Sequence, residues 1–470
     1  MDPVDELLLR QESDPRRRST ITLVLQLDRV PDWDTFVARL TSTVRREPRL
    51  RQRVVRPWRN LGAPEWVVLR NVDVGAHLTR HTLPAPGTIR ELIEYVETIA
   101  DEDIDQTRPL WHITLLDGAH DGGAALVARM SHVLTDGLAG MQLLAGLVDI
   151  DDQPVLPTGA DDLPGAGDRT EPVALSPGRL AVEHMLTAPA RAQLQYWRNY
   201  AVAVRVTGAV LSSPRRRIGQ AAQYAGSLLR IAAPRTPPPS FAERGTQRRL
   251  TYVEVPVVAL RRAGRSAGGT LNDAYLAGVT GGIRRYHEKN GTLPSQVPFA
   301  IPVSTRAKGA AERSGEEGGN RFAGVRFSAP VGVADPAERI RQIGAIVRAA
   351  RAEPALDAMT TLAPALVQLP DRVLGLAGRA QDRLDMQASY VPGPPVPVGL
   401  AGAAVESMFA FGPLPGPAAM SVLLTYAGVA RIGFTVDAAA VPDVEAVRQA
   451  MIEGFAEVLA LGEAASAGDA

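Results

Sequence analysis

Between residues 20 and 28, in TITLVLQLD, apolar and polar positions alternate, which predicts a strand with one face turned to a core. At 34–46, in DTFVARLTSTVRR, the period changes. Apolar residues recur at helical spacing, with Asp34 placed to cap the first turn. EWVVLR (65–70) predicts a further strand and TIRELIEYVETIADE (88–102) a further helix. WHITLLDG (111–118) and GAALVARMSH (123–132) predict two strands joined through the turn-rich DGAHDGG as a hairpin. GLAGMQLLAGLVDI (137–150) predicts a helix.

The pattern then lapses. Residues 150–177 are rich in Pro, Gly and Asp and predict a linker. A helix is expected over about 178–212, broken by SSPRRRIG, and a second Pro-rich loop, PRTPPPS (234–240), leads into the strand RLTYVEVP (249–256). Beyond it the pattern predicts a helix at 271–290, strands at 297–304 and 321–330, and a helix at 336–352. Strands at 406–412, 419–428 and 429–437 and a helix from 444 complete it. This alternation predicts an α/β protein with mixed (α+β) sheets and no short tandem repeat. At 470 residues the chain exceeds one ordinary core and predicts two domains. The expected division is 1–175, a helix and Pro-rich linker over 176–250, and 251–470.

Composition narrows the chemistry. Lys plus Arg and Asp plus Glu are 51 each, so no global field points to nucleic acid. With no cysteine, disulfides, thiolate metal sites and a cysteine nucleophile are excluded, which fits a cytoplasmic setting. The first twenty residues lack the basic start and apolar run of a signal peptide, and no apolar run reaches membrane-spanning length. No metal site is expected from the seven histidines, and neither a phosphate loop nor a dinucleotide fingerprint occurs.

His132 is the candidate for chemistry. A strand over 124–132 puts Leu126, Ala128, Met130 and His132 on one face and Val127, Arg129 and Ser131 on the other. His132 then ends a strand at the edge of an apolar layer, with Thr135 or Asp136 placed to cap the next helix and Gly137 to ease the turn. Two readings stand at this point: a general base working near neutral pH, or a polar residue that merely closes a strand.

SHVLTDG (131–137) resembles the His-His-x-x-x-Asp-Gly signature of the bacterial wax ester synthase/diacylglycerol acyltransferase family, within the chloramphenicol acetyltransferase-like and condensation-domain superfamily. Other stretches are similar to family segments in the same order: IDQTRPLWHITLLDG (104–118), PRTPPP (234–239), LNDAYLAGV (271–279), IPVSTR (301–306), EGGNRFAG (317–324) and SYVPGPPVPVGLAG (389–402). The likeness runs from about residue 4 to 460. It implies two chloramphenicol acetyltransferase-like subdomains with a substrate tunnel between them. His132 would be the general base, and Asp136 would hold the loop. It implies acyl-CoA as co-substrate and no cofactor. The acceptor would be diacylglycerol or a long-chain alcohol, giving triacylglycerol or wax ester, with peripheral contact to a membrane or lipid droplet. The rivals are an O-acyltransferase for another hydroxyl and a catalytically silent acyl-CoA- or lipid-binding homologue.

Two departures from the family pattern stand out. Its first histidine is Ser131 here, expected to be a support position that shapes the acceptor side. Its Asn before Val-Pro-Gly-Pro is Tyr390, which would narrow the tunnel if it faced it. Asn272 is expected to help place the thioester carbonyl or its oxyanion, the alternative being part of a helix start. Asp273 reads first as an N-cap and dipole partner. Gly137, Asp273, Ser304, Arg306, Gly319 and Asn320 join the substrate-binding positions, against ordinary cap and turn chemistry. Arg215–Arg217 with Arg248 and Arg249 would meet CoA phosphates or lipid head groups, or form a solvated face. The apolar stretch 362–384 would lie on a membrane or pack on the protein itself.

Overall fold

A computed structural model gives the fold. It describes residues 1–134 apart from 59–61, 101 and 120–121, then 140–141 and 146–150, 177–187 apart from 181 and 183–184, and 223 and 227. It also describes 236–304 apart from 242, 322–379 apart from 354–357, and 381–468.

The first half supplies α1 (Pro3–Gln11), β1 (Thr20–Leu27), α2 (Trp33–Arg46), the short pair β2 (Gln52–Val55) and β3 (Glu65–Val68), and β4 (Leu78–Thr82). Then come α3 (Ile89–Ala100), the hairpin β5 (Trp111–Ala119) and β6 (Gly123–Ser131), and β7 (Asp149–Ile150). The second half opens with β8 (Arg248–Pro256), α4 (Val257–Ser266), α5 (Leu271–Lys289), β9 (Val297–Ser304), β10 (Phe322–Ala329) and α6 (Pro336–Arg351). It closes with α7 (Ala358–Leu366), α8 (Asp371–Gly378), β11 (Met386–Pro392), β12 (Val398–Leu400), β13 (Ala403–Phe411), β14 (Ala419–Tyr426), β15 (Val429–Asp437) and α9 (Val444–Gly468).

Helix starts follow capping chemistry. Asp32, not Asp34, caps α2: its carboxylate accepts from Thr35 N–H at 2.7 Å, while Asp34 sits in the first turn. Thr270 and Asp273 form a reciprocal capping box that opens α5. Helices α5 and α9 pack through small residues; a Cβ on Gly454 would lie 2.1 Å from Gly282 N. The expected helix over 137–150 is corrected at its end, where Asp149 and Ile150 are a strand paired with β12. Edge pairing wins there because it also brings Asp149 to Arg39 of α2, at 2.6 Å in a buried ion pair. Residues 151–176, most of the expected linker, lie outside the described residues, as does most of the expected helix over 178–212.

The strands form a seven-stranded sheet, ordered β4-β5-β6-β1-β13-β12-β7, and a six-stranded sheet, ordered β10-β9-β11-β14-β15-β8. Strand β13 lies antiparallel to β1, with Thr22 opposite Phe411. Residues 398–411 thus complete the sheet built mainly by residues 20–131, and no single cut of the chain separates the two sheets. Helices α4, α5, α6 and α9 cover one face of the second sheet around Tyr275, Phe299, Ile340 and Phe455. Helix α3 covers the outer face of the first through Leu92 and Val96. The inward faces meet in a third core, where Leu25, Leu126 and Met408 of the first sheet join Met420, Val422 and Leu424 of the second. Among the described residues no helix is long and apolar enough to cross a membrane.

Candidate active site

A cavity opens between the two inward faces, with about 1050 Å3 of unfilled space counting its open mouth. The first sheet contributes Ile21, Leu23, Ile113, Ala128, Met130 and Ala410; the second contributes Val391, Met420, Val422 and Leu424. Among the described lining residues, His132 and Ser389 bring an imidazole and a hydroxyl, whereas the Arg129 guanidinium turns to Ile99 O and Glu102 at the end of α3. A smaller recess of about 420 Å3 shares Phe411, Gly412 and Pro413 with this cavity and is lined by Arg18, Arg248, Thr20, Thr22 and Thr435.

His132 reaches the wall because β6 ends one residue before it. The alternation of β6 sends Ala128 and Met130 to the cavity, while Val127 packs under α3. The backbone is fixed there: Ser131 N–H donates to Leu110 O at 3.0 Å and His132 N–H to Ser19 O at 2.8 Å. Ser131 points away from the cavity, as the alternation predicts. Its Oγ donates to Glu12 at 2.9 Å and accepts from Val133 N–H at 3.2 Å. An imidazole on the wall of an apolar cavity can exchange a proton with a hydroxyl bound beside it.

The other expected site residues fall differently. Asp136, Gly137, Arg306, Gly319 and Asn320, like Arg215–Arg217, lie outside the described residues. Strand β9 ends at Ser304, opposite Phe322. Asn272 is half-buried in the first turn of α5 and is not among the residues on the cavity wall. Asp273 serves the capping box, its carboxylate accepting from both Thr270 N–H and Oγ1 at 2.9 Å. Tyr390 does not narrow the cavity. Its neighbours Ser389 and Val391 face the cavity, and the period of β11 puts Tyr390 on the other side, 39 % exposed. Arg248 is buried against Asp437 at 3.3 Å and donates to three carbonyls, those of Gly245, Arg16 and Leu414. Arg249 pairs with Glu97 at 3.2 Å. Both are therefore committed within the fold. In the stretch 362–384, Ala363 and Leu374 pack on Val4 and Leu7 of α1, and Leu362, Leu369 and Val373 face outward.

Trp111, within the Pro-Leu-Trp stretch, is a cavity wall that sequence reasoning did not assign. Its Nε1 donates to Leu50 O at 2.9 Å, and its ring stacks on His77 at 4.2 Å. Burial holds His77 below the usual histidine range, so the ring is favoured neutral beside the indole. A tryptophan after Pro-Leu was visible as a motif, but its direction needed the partner strands.

Residues 1–275 match the wax ester synthase/diacylglycerol acyltransferase catalytic domain, and residues 318–458 match the WS/DGAT C-terminal domain. A Mycobacterium tuberculosis protein provisionally named a diacylglycerol O-acyltransferase is 36 % identical over 98 % of this chain and 92 % of its own length. The wax ester synthase/diacylglycerol acyltransferase of Marinobacter aquaeolei VT8 superposes with a TM-score of 0.63 at 21 % identity, covering 98 % of this chain and 99 % of its own. The first condensation domain of the calcium-dependent antibiotic synthetase shares the fold at a TM-score of 0.60 and 14 % identity, covering 98 % and 95 %. With both domain matches in sequence order and a relative at this identity over almost its full length, the chain belongs to the wax ester synthase/diacylglycerol acyltransferase family.

Proposed function

We propose that this acyltransferase-family member transfers a long-chain acyl group from acyl-CoA to the hydroxyl of diacylglycerol or a long-chain alcohol, with His132 as general base. The observation that carries the reading is the position of His132 on the wall of an apolar cavity between the sheets. The imidazole takes the acceptor's hydroxyl proton as the oxygen attacks the thioester carbonyl. The tetrahedral intermediate collapses, the carbon–sulfur bond breaks, and the imidazolium returns the proton to the leaving thiolate. Ester and CoA thiol are the products, and no cofactor or covalent enzyme intermediate enters the balance. The apolar lining suits an acyl chain, and burial there contributes about 0.8 kcal/mol per methylene. The adjoining recess, with Thr20, Thr22 and Thr435, suits the polar arm of the thioester. Such acceptors reside in lipid, so the reading includes peripheral contact with a membrane or lipid-droplet surface.

The test is CoA thiol release by purified protein given palmitoyl-CoA with a diacylglycerol, with a long-chain alcohol, or with no acceptor, beside His132→Ala. Acceptor-dependent release that drops at least about 100-fold in the variant is expected. Unchanged release by His132→Ala would remove His132 as the base. Tight palmitoyl-CoA binding without release would favour a different acceptor or a silent binding protein.

A further inference from the structure

Behind the His132 turn stands a carboxylate that the proposed reaction does not use. Glu12 follows α1 directly, its N–H donating to Leu8 O at 3.2 Å. One oxygen, Oε1, accepts from two hydroxyls: Ser19 Oγ and, at 2.9 Å, Ser131 Oγ. Both serines are almost wholly buried, at 4 % and 3 % exposure. These are also the residues that hold the backbone of His132. Ser19 O accepts the His132 N–H at 2.8 Å, and Ser131 is its chain neighbour. Ser131 Oγ further accepts from Val133 N–H at 3.2 Å, on the far side of His132. The hydrogen bonds therefore close a ring from Glu12 through Ser19 to His132 and back through Ser131. Ser19, seven residues from Glu12, and Ser131, 119 residues from it, meet on one oxygen atom.

We propose that Glu12 is the positioning residue of this active site, fixing the peptide of His132 through Ser19 and Ser131. This rests on the reading of His132 as the base. The ring has a directional logic. A serine at 131 can give its one proton to Glu12 while still accepting from Val133, so both ends of the turn are satisfied. An apolar residue at position 12 would leave two buried hydroxyls without an acceptor and free the turn to shift. Burial pushes the Glu12 carboxyl above the usual carboxylate range, while the hydroxyls of Ser19 and Ser131 and the Arg56 guanidinium act the other way. The work asked of Glu12 is acceptance by Oε1, which an amide oxygen can also perform. The conservative variant is therefore informative.

The experiment compares Glu12→Leu, Glu12→Gln, Ser131→Ala and the Glu12→Leu/Ser131→Ala double variant in the full chain. Steady-state kinetics with palmitoyl-CoA are one readout. The other is the His132 ring resonance in histidine-labelled protein, identified by its absence from His132→Ala. Glu12→Leu should lower kcat roughly 10- to 100-fold, with KM for palmitoyl-CoA within about twofold, as expected for a base displaced by a fraction of an ångström to about 1 Å. Glu12→Gln should keep most of kcat. The double variant should be no worse than Glu12→Leu, because both changes cut one ring. The His132 resonance should move or broaden in Glu12→Leu and stay put in Glu12→Gln. Wild-type kcat and an unmoved resonance in Glu12→Leu overturn the proposal, as does strict additivity in the double variant. If Glu12→Leu does not fold, Ser131→Ala carries the same two expectations alone. If the wild type releases no CoA with any acceptor, the proposed function falls, and the resonance still decides whether Glu12 positions His132.

Discussion

His112, next to the fixed Trp111, shows how a single residue sets a pH response. Its Nε2 meets Thr79 Oγ1 at 2.9 Å, and burial, with the nearby Arg129 cation adding to it, holds its pKa at about 4. The unfolded chain takes up this proton near pH 6.5 and the folded chain near 4, so between those values the unfolded state binds more protons. Stability contributed by neutral His112 is therefore complete above about 6.5 and lost as pH falls toward 4. Replacing it by glutamine removes the titration and keeps a hydrogen-bonding group near Thr79. His112→Gln should recover on the order of 1 kcal/mol of the stability that wild type loses between pH 7 and 4.5, solvent screening of the half-exposed ring reducing the full effect of the shift. Guanidinium midpoints at the two pH values measure this, and an equal loss in both proteins would assign the acid sensitivity elsewhere.

At the scale of elements, the Arg39–Asp149 pair joins α2 to the short edge strand β7. The contact is 2.6 Å, and both side chains are nearly excluded from solvent. Removing one charge leaves the other buried without its counter-ion, which costs more than the intact pair contributes. Asp149→Leu should therefore destabilise the protein by roughly 3–5 kcal/mol, read as a lower denaturation midpoint with an unchanged slope. Asp149→Asn keeps an acceptor for Arg39 and should cost less. A midpoint unmoved by Asp149→Leu would mean that β7 does not help hold the closed edge of the sheet. The same pair explains why helical periodicity through 137–150 misled at its end, where residues 146–148 turn and Asp149–Ile150 form a strand. The apolar spacing carries no information about an arginine 110 positions earlier.

For the whole molecule, the crossing of β12 and β13 into the first sheet decides how the two matched domains depend on each other. Strand β1 pairs along its length with both β6 and β13. A fragment ending at residue 275, the limit of the catalytic-domain match, would lack β12 and β13 and expose the β1 edge together with Leu25 and Leu27. Such an edge invites pairing with other chains. Fragment 1–275 should aggregate or show no cooperative unfolding, while the full chain melts cooperatively. Circular dichroism and light scattering on the two proteins check this, and a monomeric fragment with a sharp transition would contradict it. The cavity depends on the same crossing. Its floor uses Ala410 and Phe411 beside Ile21 and Leu23, so it does not exist within residues 1–275 alone.

The sequence by itself determined the strands whose period is clean, such as 297–304 and 429–437, the mixed α/β class, the family resemblance, and the placing of His132 and Ser131 on opposite sides of one strand end. Each of these depends on a local repeat or a contiguous motif, and local backbone geometry is enough to read them. Tertiary structure alone decided which strand lies beside β1, which face of β11 meets the cavity, that Arg248 is taken up by Asp437, and that Glu12 accepts from Ser131, the neighbour of His132. Glu12 and Ser131 are 119 residues apart, and neither one's neighbourhood in sequence names the other. Long-range partners are chosen by which apolar faces can be buried together and which buried polar groups can then be satisfied, and that choice exists only once the chain is folded.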